Sequence, residues 1–115
     1  MTVKIIKNKT MDKWLNFCGA WGQAHLGFLI FLRTGMTGYD EKKITQHERI
    51  HLAQARELLI LFWYILYVGH YLVNLIRYLE HREAYRNIIF EREAYENDRD
   101  QDYLLSRKRF AWRNC

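Results

Sequence analysis

The chain has no proline among its 115 residues. Nothing in its covalent backbone therefore breaks a helix or removes a donor from a strand. It has two cysteines, Cys18 and Cys115, too few for a disulfide framework, so free thiols and a cytoplasmic location are expected. Cys18, beside Gly19 and Ala20, reads as a small buried residue. The opening "MTVKIIKNKTMDKWLNF" lacks a long apolar core and is not expected to be a signal peptide. There is no Gly-rich phosphate loop and no Ser-His-Asp signature.

What is present fits one small domain. Half of the residues are apolar and 16% are aromatic, which excludes a chain disordered by composition. The net charge of +5 is mild and spread along the sequence. A nucleic-acid partner would rest on that charge and on the tail "SRKRFAWRNC" alone, and none is expected. A short basic tail of this kind is usually solvated.

The coarse pattern is α+β and mostly α. "TVKII" at 2–6 reads as a short strand, "NKTMDKW" as a polar connection, and "HLGFLIFLR" at 25–33 as a second, mostly buried strand. "TGMTGYDEKK" reads as a loop with Asp40 as a helix cap. From Ile44 the period becomes helical, and Ile44, His47, His51, Ala55, Leu58, Phe62 and Ile65 fall on one stripe. A last helix is expected over about 83–105. The similar hexads "REAYRN" and "REAYEN" at 82–87 and 92–97 are too few to form a repeat array.

"HERIH" places His47 and His51 one helical turn apart with Glu48 between them. That step puts both imidazoles on one face, where they can reach one Zn²⁺, and sets the glutamate beside the metal as a general base. The bland alternative is a polar helix start, but both histidines lie on the apolar stripe. Arg49 stands where this motif usually carries an uncharged residue. His25, His70 and His81 have no ligand spacing to one another and read as structural or surface residues.

A third ligand must come from elsewhere. A helix rises about 1.5 Å per residue, so a chain reversing near Gly69 would bring "FEREAYEND" back beside the histidines. Two glutamates compete there. Glu91 shares a stripe with Ala84, Ile88 and Tyr95, whereas Glu93 lies on the opposite face. The packed stripe selects Glu91 and leaves Glu93, Glu83 and Glu80 as surface charges or salt-bridge formers.

"HERIH" followed by "FEREAY" resembles the gluzincin arrangement of zinc metallopeptidases. It is also similar to small single-domain bacterial proteins carrying "HE(K/R)IH" and "FEREAY" motifs. The resemblance implies a minimal zincin-like domain over 1–115: a short N-terminal strand pair, an active-site helix and a returning glutamate helix. It implies His47, His51 and Glu91 as zinc ligands, Glu48 as catalytic base, and a peptide or protein substrate. Gluzincins often carry an aspartate four residues after the ligand glutamate, where this chain has Tyr95.

One rival remains. "LLILFWYILYVGHYLVNLI" at 58–76 lacks Lys, Arg, Asp and Glu and qualifies by length as a membrane span. A straight span would separate His47 from Glu91 and abolish the metal site. Gly69, His70 and Asn74 favour the hairpin, with the apolar helix left to contact a membrane surface or a second copy.

Overall fold

A computed structural model describes residues 3–115. The fold is α+β and mostly helical, with a small sheet at the N-terminal end followed by helices. The order is β1 (Lys4–Ile6), α1 (Lys9–Cys18), β2 (Gly22–His25), β3 (Leu29–Leu32), α2 (Gly38–Glu57), α3 (Leu61–Tyr78), α4 (His81–Arg86), α5 (Ile89–Asn97), α6 (Tyr103–Ser106) and a final 3-10 turn (Ala111–Asn114).

The N-terminal part is richer than the pattern suggested. "NKTMDKW" is not a connection, because Asn8 accepts a hydrogen bond from the Met11 amide at 2.8 Å and starts α1. Gly19, at φ 71°, ends it in the left-handed conformation. Cys18 at its last turn is exposed rather than buried. The expected second strand is a hairpin: β2 and β3 pair antiparallel, and β1 adds parallel to β3 in the order β1-β3-β2. Leu26 and Gly27 both have positive φ, as the tight turn between β2 and β3 requires.

Helix α2 starts at Gly38, not Ile44, and Thr37 rather than Asp40 occupies the cap position. Asp40 and Glu41 instead lie in the first turn, where they favour the positive end of the helix dipole. One side of α2 packs on the sheet around Ile30, Leu32, Met36 and Leu52. Farther along it, Ala55 packs with Trp63, Ile88 and Phe90.

The chain does not turn at Gly69. It turns at 58–60, where Leu59 and Ile60 have φ of 57° and 66° and the Leu61 amide bonds the Leu59 carbonyl at 2.7 Å. This is a strained γ-type turn on a β-branched residue. It bends α3 away from α2 by 114°, so Phe62 and Ile65 leave the α2 stripe and become exposed. Leu79, left-handed at φ 55°, ends α3. The expected helix over 83–105 is broken by extended Ile88 at the start of α5, and again after Asn97. α4 packs along α3 and α5 along α2, and this pair makes the return. Among the described residues no single helix is long and apolar enough to cross a membrane. The outer face of α3, including Leu61, Phe62, Ile65, Leu72 and Ile76, is more than half exposed.

The tail is not simply solvated. Arg107 pairs with Glu57 at 2.9 Å and with Glu93 at 2.5 Å, and Trp112 packs on Phe90. Glu93 is therefore not a surface charge. It is wholly buried, and it also accepts hydrogen bonds from Tyr103 and Gln54.

Gly69 lies inside α3 with open space where a side chain would start. Gly69→Ala should therefore stabilise the protein by about 0.5–1 kcal/mol, read as a higher midpoint in urea. A lower midpoint would mean that the chain hinges at Gly69 after all.

Candidate metal centre

His47 and His51 project from α2, one turn apart, and both are buried. Glu91 comes from the first turn of α5 and is 2% exposed. Its Oε1 lies 2.9 Å from His47 Nε2 and its Oε2 lies 3.1 Å from His51 Nε2. Among the described residues this buried group, with ligand atoms within 4.8 Å of one another, could hold a metal ion. Sequence reasoning brought these three residues together, and the structure does so too.

The hydrogen bonds around the group fix which ring nitrogens face inward. His47 Nδ1 donates to Asp98 Oδ2 at 3.0 Å. Gln54 Nε2 donates to the Phe90 carbonyl and to Glu93 Oε1. Its Oε1 must then be the atom facing His51 Nδ1, 2.9 Å away, and Trp63 Nε1. Both Nδ1 atoms are thus donors, and each neutral imidazole aims its Nε2 lone pair at a carboxylate oxygen. Acceptor would face acceptor at both contacts unless a cation lies between them. A proton on His47 can fill that role. For His51 it does so poorly, because Nε2 is buried yet has no hydrogen-bond geometry to any partner. Ligands of a tetrahedral zinc at about 2.0 Å stand about 3.3 Å apart, so the observed separations need to widen only slightly.

Several residues that steady the group were not visible in the sequence. Tyr67 on α3 donates to Glu91 Oε2 at 2.6 Å. Asp98, not Tyr95, orients His47; the Tyr95 ring packs edge-on to it, with centroids 4.6 Å apart. Asp98 follows α5 by one residue, and the loop after it is tied to α2 by Gln46, which bonds the Asp100 carbonyl. Of the lone histidines, His70 accepts from the Ile89 amide and so seats the start of α5. His81 bonds Tyr71, and His25 bonds Tyr64. Arg49 points to solvent, so the charge at that motif position does not enter the site.

Glu48 lines the same cleft, with 8% exposure and no hydrogen bond among the described residues. The cleft measures about 720 Å³ and lies within one chain, between the 18–25 segment on one side and α4 on the other. Burial pushes the Glu48 carboxyl up, although His51 and His47 nearby pull it down. A carboxylate so placed can accept a proton from a water in the cleft.

In the chain by itself, burial would lower the His47 imidazole, but Asp98 and Glu91 overcome it and raise the group to about 10. His51 is raised as well, with Glu91 overcoming the same burial penalty. Burial opposes ionisation of Glu91, yet His51 and His47 hold its carboxyl well below its ordinary range. The His47 contribution to stability is then fully present below its ordinary value of 6.5 and is lost as pH rises through about 10. The Glu91 contribution is present above 4.5 and is lost as pH falls through its lowered value. Chelator-treated protein should therefore melt at progressively lower temperature as pH is raised from about 6.5 to about 10. With saturating zinc the trend should reverse, because a cation then replaces the protons. Identical melting profiles with and without zinc would show that no metal engages these groups.

No protein-family model, curated protein or solved structure was found to match the chain.

Proposed function

We propose that the protein is a small zinc-dependent metallopeptidase of gluzincin-like design. The observation that carries this reading is the convergence of three acceptors, His47 Nε2, His51 Nε2 and the Glu91 carboxylate, beside an unpaired Glu48 carboxylate in one cleft. Two imidazoles and a carboxylate are a zinc donor set that leaves a fourth position open, and Nδ1 bonds of the kind made by Asp98 and Gln54 accompany such ligands. Zinc bound there would supply a Lewis acid that polarises a carbonyl oxygen and acidifies a water.

The chain's own residues would do the rest. Glu48 takes a proton from the attacking water and passes it to the amine as the C–N bond breaks. The water oxygen ends in the new carboxylate. Tyr67 and Asp98 hold Glu91 and His47 in place through the bonds described. Trp63, Tyr64 and Tyr67 on α3, with Tyr85 and Tyr95 opposite, give the cleft an aromatic wall that limits access of bulk water.

The test separates binding, chemistry and folding. Protein purified without chelator should carry about one zinc per chain. Glu48→Gln should keep that zinc while hydrolysis of a mixed peptide library falls by about 10²-fold or more. Glu91→Ala should lose the metal. Glu93→Ala should keep the metal at low temperature but destabilise the fold by about 3 kcal/mol, because it strips Arg107 of a buried partner. Zinc retained by Glu91→Ala, or hydrolysis retained by Glu48→Gln, would overturn the assignment.

A further inference from the structure

The charges of the cleft are sorted by depth. Its acidic residues, Glu48, Glu91 and Asp98, are all buried. Two of them, Glu91 and Asp98, are already engaged with imidazoles. The charged residues nearer solvent are all cationic: Lys43 on α2, and Arg82 and Arg86 on α4. Among the described residues none of these three takes part in an ion pair. Glu80 turns back to cap α4 through the Arg82 and Glu83 amides, and Glu83, next to Arg82, accepts from the Asn87 side-chain amide.

Arg86 is the best placed of the three. Its guanidinium lies over the Tyr95 ring, 4.0 Å from the centroid. That ring in turn packs against His47. The guanidinium thus rests over an aromatic face, with no hydrogen bond or ion pair of its own among the described residues, one ring away from a candidate metal ligand. Stacking leaves the edge of the fork free, and that edge matches a carboxylate with two parallel hydrogen bonds. An acidic group is the charge type that this outer lining attracts, since the acids that line the cleft are all buried.

We propose that Arg86, supported by Lys43 and Arg82, selects peptides bearing a carboxylate close to the scissile bond. That carboxylate is an acidic side chain or the C-terminal carboxylate. This proposal rests on the peptidase reading, and it names that site's substrate class. Arg86 acts on the part of the peptide that flanks the reacting carbonyl and does not take part in bond breaking.

The experiment uses zinc-loaded Glu48→Gln protein, which should bind peptides without cutting them, and measures fluorescence anisotropy with four labelled peptides. One carries internal glutamates and is blocked at both ends. One is neutral with a free C-terminal carboxylate. One is neutral and blocked at both ends, and one carries lysines and is blocked. At least one carboxylate peptide should bind tenfold or more tightly than the blocked neutral peptide, and the lysine peptide should bind worst. Which carboxylate peptide wins identifies the source of the group. The advantage should fall at least fivefold in Arg86→Gln and only partly recover in Arg86→Lys, which keeps the charge but loses the fork. Equal binding of neutral or lysine peptides, no binding at all, or an unchanged preference in Arg86→Gln would overturn the proposal. Zinc content of the same samples and cleavage by the wild-type protein are read in parallel. Zinc and cleavage without a carboxylate preference would sink this inference alone, whereas a preference without zinc would sink the peptidase reading and leave the anion site standing.

Discussion

A single carboxylate, that of Glu91, sits at the centre of the helical half of the molecule with almost no access to water. An ionised group in that position is costly unless positive charge and hydrogen-bond donors surround it. The neighbouring elements supply them: α2 brings His47 and His51, and α3 brings the Tyr67 hydroxyl. The sharp turn at Leu59 and Ile60 brings Trp63 and Tyr67 of α3 to the same cleft. A straight continuation of α2 would carry Trp63 and Tyr67 away from the site. Backbone strain of about 1–3 kcal/mol at such a turn is tolerated because the bend closes one wall of the cleft.

A second buried charge cluster lies two residues farther along α5. Glu93 meets Arg107, which also holds Glu57, and Gln54 joins this cluster to His51 through one amide group. Helix α5 is therefore gripped on two sides. Rotating it to exchange Glu91 for Glu93 would strand Arg107 and unseat both histidines together. Gln54 is well suited to this link, since an amide can donate on one edge and accept on the other. An acid at that position would place its charge against Glu93, and an apolar side chain would leave His51 Nδ1 without a partner.

The parts of the site legible in the sequence were those set by helical geometry. The four-residue step of His47 and His51 survives any tertiary context, and Glu91 was separated from Glu93 by the angle between neighbouring helix positions. Glu91 lies beside the histidines although α4 and α5 do not form one continuous helix and Glu93 is buried as well. Asp98, Gln54 and Tyr67 were not legible, because their roles depend on contacts between distant parts of the chain. Glu93 was misjudged for the same reason: its cation lies in a tail whose composition reads as solvated. The turn at Leu59 and Ile60 carries no glycine, asparagine or proline to announce it, whereas Gly69 looks like a breaker and lies undisturbed within α3. Likewise, Leu26 hid the hairpin by adopting a conformation its residue type seldom visits.

The spacing of the candidate ligands also has a consequence for the order in which the molecule assembles. His47 and His51 are neighbours within one helix and can be in place as soon as α2 forms. Glu91 and Asp98 lie 44 and 51 residues from His47, and Arg107 lies 50 from Glu57. Contacts this remote are closed late, after the loop entropy between them has been overcome. If α2 forms before those contacts close, the chain would present a two-imidazole half-site on an exposed helix. A divalent cation caught at that stage gains its third ligand only if α5 docks in the native register, so it would favour the correct docking over its competitors. A chain that folded first would have to admit the same cation through a cleft already lined with aromatic side chains. The arrival time of the metal, and not only its affinity, would then determine how quickly a complete centre forms.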